Sequence, residues 1–184
     1  MKKITSILII SSFLFAACGN SKWDKTDKDI SPEQKTYEEN IISEQMTILE
    51  KDSTDVKALF QVAFEYQFLG EYRKAVNYYE KVIKIDAGHI AALNNLADIY
   101  EQIGEYDTSA EYIKQLYPLM PDSAETIKDT VRILLLAGDD ISAEQALENF
   151  AKLKREGGET SKETTKLISS LKQQIEDYQR SVGK

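Results

Sequence analysis

Apolar side chains return at helical spacing through most of this chain, and one arrangement of them is written twice. Leu59, Val62, Ala63, Tyr66, Gly70, Tyr72, Tyr78 and Val82 are answered 34 residues later by Leu93, Leu96, Ala97, Tyr100, Gly104, Tyr106, Tyr112 and Leu116. Even the tripeptide Gly70-Glu71-Tyr72 returns, as Gly104-Glu105-Tyr106. Steps of three and four residues predict an amphipathic helix on each side of each glycine. The glycines fall where the chain must enter the left-handed region to close the first helix of a hairpin. Ala63, Ala97 and Ala75 are small where two helices pack most closely, and Ser109 stands in for Ala75 in the second copy.

A third copy keeps phase through Ile127, Val131, Leu134, Gly138, Ala143, Leu147 and Phe150, with Thr130 and Asp140 departing from the pattern. Upstream, Ser31-Pro32-Glu33-Gln34 combines an N-cap serine, a proline at the first helical position and a glutamine three residues after the cap. Ile41, Ile42, Gln45, Ile48 and Leu49 then form one stripe through Lys51, with Tyr37 near the slot of Tyr72 and Ile48 in that of Val82. Downstream, Thr160 with Glu163 starts a last helix whose apolar seam is Ile168, Leu171, Ile175, Tyr178 and Val182. Its other faces are polar, which suits the solvating end of a repeat array.

The period of 34 and the order of small, apolar and aromatic residues resemble the tetratricopeptide repeat, a helix-turn-helix unit. The resemblance implies an all-α, right-handed α-solenoid. Its units would be 56–89, 90–123 and a degenerate 124–157, between a half-repeat helix over 31–52 and a capping helix over 160–182. It also implies a concave face lined by the first helix of each unit. That face would present Phe60, Phe64 and Phe68, then Asn94, Asn95, Asp98, Glu101 and Gln102, then Lys128, Asp129 and Arg132. The phenylalanines recur every fourth residue and so share one strip. Leu59, Val62, Ala63 and Tyr66 already give the same helix a packing face. Two readings of the strip follow: it packs under the helix from Pro32 to Lys51 or its tether, or it is a partner groove. Family members that grip a peptide carboxylate use Lys, Asn, Asn, Lys and Arg, where this chain has Phe60, Phe64, Asn95, Glu125 and Asp129, so that use is not supported.

The first residues carry an address. Met1-Lys2-Lys3 is a positive n-region, and the apolar run from Ile4 to Ala17 is shorter than the roughly 20 residues a spanning helix needs. A secretory signal peptide over 1–17 fits. Leu14-Phe15-Ala16-Ala17-Cys18 resembles the bacterial lipobox, with Phe15 where that motif prefers leucine. The resemblance implies acylation of Cys18, which would fix the chain to a membrane in the bacterial envelope. The alternative is an ordinary secretory cut at Ala17 with an incidental free Cys18. Residues 18–30 read as a polar tether, and a dozen extended residues reach about 40 Å. Trp23 within it is expected at the lipid interface or in solvent. Gly19 lacks the aspartate of inner-membrane retention, which by resemblance favours the outer membrane over the cytoplasmic one.

The net charge of −8 at pH 7 over 184 residues argues against nucleic acid and anionic surfaces, which reward clustered Lys and Arg. One cysteine excludes an internal disulfide framework, and one histidine offers no His-based metal set. His89 reads as a turn or capping residue, and Asp139-Asp140 as helix N-terminal acids favoured by the dipole. No phosphate loop, nucleophile set or metal spacing is present, so neither an enzyme nor a cofactor is expected. The expected function is a membrane-anchored adaptor or assembly factor for an envelope protein or peptide. The alternative is an accessory lipoprotein that holds a small apolar or lipid-like ligand on its aromatic strip.

Overall fold

The computed structural model describes Trp23, residues 29–158 and residues 161–183. Among these residues there are eight α-helices and no strand: α1 Pro32–Lys51, α2 Val56–Phe68, α3 Tyr72–Ile85, α4 Ile90–Gln102, α5 Tyr106–Leu116, α6 Ala124–Leu136, α7 Asp140–Glu156 and α8 Lys162–Ser181. Six have a side-chain cap that satisfies an otherwise orphaned backbone N–H: Ser31, Asp55, His89, Ser123, Asp139 and Ser161. At α4 the cap is unusual, because His89 Nδ1 accepts from Ala92 N at 3.2 Å. The last helix is capped by Ser161 and not by Thr160, which lies outside the described residues.

Helices α2 with α3, α4 with α5 and α6 with α7 form hairpins, and each hairpin packs on the next. The fold is an α-solenoid. Gly70, Gly104 and Gly138 carry φ of 73°, 77° and 79°. Each is followed by the same closure, Glu71 N to Tyr66 O, Glu105 N to Tyr100 O and Asp139 N to Leu134 O, all at 2.8 Å. A six-to-one bond of this kind ends a helix and turns the chain back on itself.

The repeated slots make repeated contacts. Tyr66 stacks on Tyr78 at 5.8 Å between ring centroids, and Tyr100 on Tyr112 at 5.6 Å. The third hairpin holds Leu134 and Ala146 in those slots, and Tyr117 stands beside them, its hydroxyl donating to Ala146 O at 2.9 Å. The departures within the repeats are accommodated chemically. Buried Thr130 donates to Thr126 O in its own helix, and Ser109 Oγ donates to Ala97 O across the hairpin. Asp140 is buried and accepts from Gln179 Nε2 of α8 at 3.1 Å.

The ends differ from the sequence expectation. On α1 the buried pair is Glu38 and Ile42, whereas Tyr37 is 64% and Ile48 41% exposed. Glu38, not Tyr37, fills the slot that Tyr72 holds one unit later. Ile48 stays open because no preceding helix packs outside α1 among the described residues. On α8, Leu171 and Ile175 are buried against α6 and α7, while Val182 beyond the helix end is exposed. Trp23 packs on the solenoid and is half-buried: its ring meets Tyr100 edge-on at 5.8 Å, with the Arg73 guanidinium 5.7 Å from its centroid.

Candidate partner-binding groove

The first helices of the hairpins, α2, α4 and α6, present the side chains assigned to the concave face. On α2 the phenylalanine strip divides. Phe60 is half-buried, tilted on Tyr79 at 5.5 Å and lying 5.0 Å from the His89 ring. Phe64 stacks on Phe60 at 6.4 Å yet remains 46% exposed. Phe68 is half-buried. Helix α1 does not cover Phe64, since its apolar side is spent on Val62 and Leu69 through Ile42. Phe60 therefore belongs to the rim of the core, and Phe64 to the surface.

Next to this strip runs a relay of polar contacts. Asn95 Nδ2 donates to the Tyr79 hydroxyl at 2.7 Å, and that hydroxyl donates to Gln67 Oε1 at 2.8 Å. Asn95, assigned to the concave face, is thus engaged inside the protein. Burial holds the Tyr79 hydroxyl well above its ordinary titration range.

Between α4 and α6 the surface sinks into a hollow of about 400 Å³. Its floor is apolar, with Ile113, Leu116 and Met120, and its walls carry Asn94, Asn95 and Asp98 on one side and Glu125, Thr126 and Asp129 on the other. Arg132 links the two helices, pairing with Glu101 of α4 and, at 2.9 Å, with Asp129 of the wall. Asp98 and Glu125 have no cationic partner among the described residues. Among the described residues Asp98 accepts from Asn94 Nδ2, at 3.4 Å. Burial, then the nearby charges of Asp129 and Glu101, push its carboxyl up to about 6 in spite of Arg132. Lys128 is exposed on α6 and stands outside the lining of the hollow.

The sequence reading named Phe60, Phe64, Phe68, Asn94, Asn95, Asp98, Glu101, Gln102, Lys128, Asp129 and Arg132 for this face, and of these Asn94, Asn95, Asp98 and Asp129 line the hollow. It missed the floor residues Ile113, Leu116 and Met120, which come from α5 and the turn after it. Their apolar character reads equally as core, so no local signal marks them. Among the described residues no group of His, Cys, Asp or Glu is arranged to hold a metal ion. None of the described helices is long and apolar enough to cross a membrane, and residues 1–22, Cys18 included, lie outside the described set.

Comparison with known proteins agrees with this architecture. Residues 69–125 match the tetratricopeptide repeat family. Similar solved structures include a crystal structure of MamA, with 16% identity and a TM-score of 0.55 over 86% of this chain and 99% of that one. A MamA RS-1 double mutant has 14% identity and a TM-score of 0.56 over 81% and 89% of the two chains. Pseudomonas aeruginosa pilF has 18% identity and a TM-score of 0.52 over 79% of this chain and 68% of that one. Likeness at this level of identity is likeness of fold. No curated protein sequence matches the chain.

Proposed function

We propose that this chain is a lipid-anchored adaptor of the bacterial envelope, held by acylated Cys18 and docking a protein or peptide on the concave face of its solenoid. The observation that carries the docking role is Phe64, 46% exposed beside a polar hollow and unused by the packing of the repeats. Phe64 stacks on Phe60, and apolar groups gathered into one open step are what a partner surface covers. The open strip favours a protein surface over a small apolar ligand, because small-ligand sites enclose most of what they bind. The anchor rests on the sequence Leu14 to Cys18. Trp23 lies five residues beyond Cys18, and an extended chain of that length spans at most about 17 Å. The solenoid edge at Arg73 and Tyr100 is then held near the bilayer.

Two substitutions test the two halves. Phe64→Asp in the native host should lose the proteins that crosslink to the wild type while the helical circular dichroism stays unchanged; retention of every crosslinked partner would overturn the docking role. Cys18→Ala should move the protein from the membrane fraction to the soluble one and stop acyl-label incorporation. Continued sedimentation with membranes would mean another anchor.

A further inference from the structure

The concave face combines two features that call for different parts of one side-chain set. The Phe60 and Phe64 rings offer an open apolar step on α2. The hollow between α4 and α6 has an aliphatic floor and an acidic wall. The two are neighbours, since Phe60 lies 5.0 Å from the His89 ring and the next residue, Ile90, lines the hollow. A long side chain with a methylene stem and a positive head fits such a hollow, because the stem covers the apolar floor while the head reaches the carboxylates.

The charge census points the same way. Arg132 is already shared by Glu101 and Asp129. Asp98 and Glu125 are left without a cation, and Asp98 is half-buried. A carboxylate in that position costs stability in the free protein, and a positive group brought from outside would add to the partial compensation that Arg132 gives. An anionic segment meets the opposite situation, since like charge in a concave, low-dielectric wall repels it.

Resting on the reading of this face as a docking surface, we propose that its partner is a cationic amphipathic segment of a protein. It lays an apolar side chain on Phe64 and inserts a lysine or arginine between α4 and α6, against Asp98 and Glu125. The charged groups facing Asp98 are Glu101 on its own helix and Asp129 and Arg132 on α6, with the Tyr79 hydroxyl from α3. Binding should therefore strengthen as Asp98 ionises.

The test uses the protein with three fluorescein-labelled peptides of equal length read by fluorescence anisotropy: alternating Lys and Leu, alternating Glu and Leu, and alternating Lys and Ser. The Lys/Leu peptide should bind tightest. Its Kd should rise more than about tenfold with Asp98→Asn plus Glu125→Gln, and should rise with Phe64→Ala. Glu144→Gln plus Glu148→Gln, at the far hollow between α7 and α8, should leave it unchanged. Wild-type affinity should increase from about pH 5 to about pH 7, and Asp98→Asn should flatten that rise. Binding of the Glu/Leu peptide as tight as that of the Lys/Leu peptide overturns the proposal, as does a Kd indifferent to the Asp98 and Glu125 changes. If Phe64→Ala still weakens binding in those cases, the docking face stands and only the cationic partner falls. If no concave substitution matters, both fall.

Discussion

Glu65 is buried at 4% exposure with Gln61 donating to it from one side and Glu38 of α1 beside it on the other. Burial, then the hydrogen bond with Glu38, raises its carboxyl to about 7. Its counterpart in the unfolded chain titrates near 4.5, so the folded state holds the proton more tightly. The stabilisation is full below that lower value and is lost as pH rises to about 7. Glu65→Gln keeps a neutral partner for Glu38 at every pH. Its melting temperature should exceed that of the wild type at pH 8, equivalent to about 2 kcal/mol, and the difference should vanish near pH 4. Thermal melts across this range decide it; a wild-type curve as flat as the variant's would refute the raised Glu65 carboxyl. Asp139 behaves in the opposite sense. Its bond with Lys114 holds the carboxyl at about 2, so its contribution is present above the ordinary aspartate range and is lost only as pH falls toward 2.

Helix ends and turns carry the repeat. At Gly104 a Cβ would meet nothing within 4 Å, so Gly104→Ala isolates the cost of a left-handed backbone at φ 77°. The substitution should destabilise by about 1 kcal/mol in urea denaturation, with an unchanged m-value. A neutral result would mean that the turn relaxes without strain. This level of the structure was open to reading from sequence. Glycines every 34 residues, capping residues such as Ser31 and the helical period are all local, and each acts through its own few bonds. What the pattern misplaced on α1 was Tyr37 and Ile48. Their apolar character fits the stripe, but among the described residues no helix covers them on that side.

At the scale of the molecule, stability is a chain of neighbour contacts. Leu171 is 3% exposed and is part of the cluster that contains Phe150, Leu134 and Leu147. Leu171→Asp should cost about 3 kcal/mol or more, because an unpaired charge enters an apolar seam. Hydrogen exchange should accelerate in α6, α7 and α8 well before α2 and α3, as expected when each repeat is supported chiefly by the next. Uniform acceleration along the chain would instead make the array a single cooperative unit. The same linear build sets the concave face. Its residues come from three hairpins and converge only through their stacking.

The sequence alone determined the period, the hairpins and their turns. It did so because helical periodicity and positive-φ turns are properties of neighbouring residues. Only the tertiary structure decided how far Phe60 and Phe64 are covered, that Asn95 serves Tyr79, and that Trp23 rests on Tyr100. It likewise decided that Asp98 sits half-buried over an aliphatic floor. Those outcomes depend on the distance and angle between successive hairpins, which are fixed by packing summed over many residues and written at no single position.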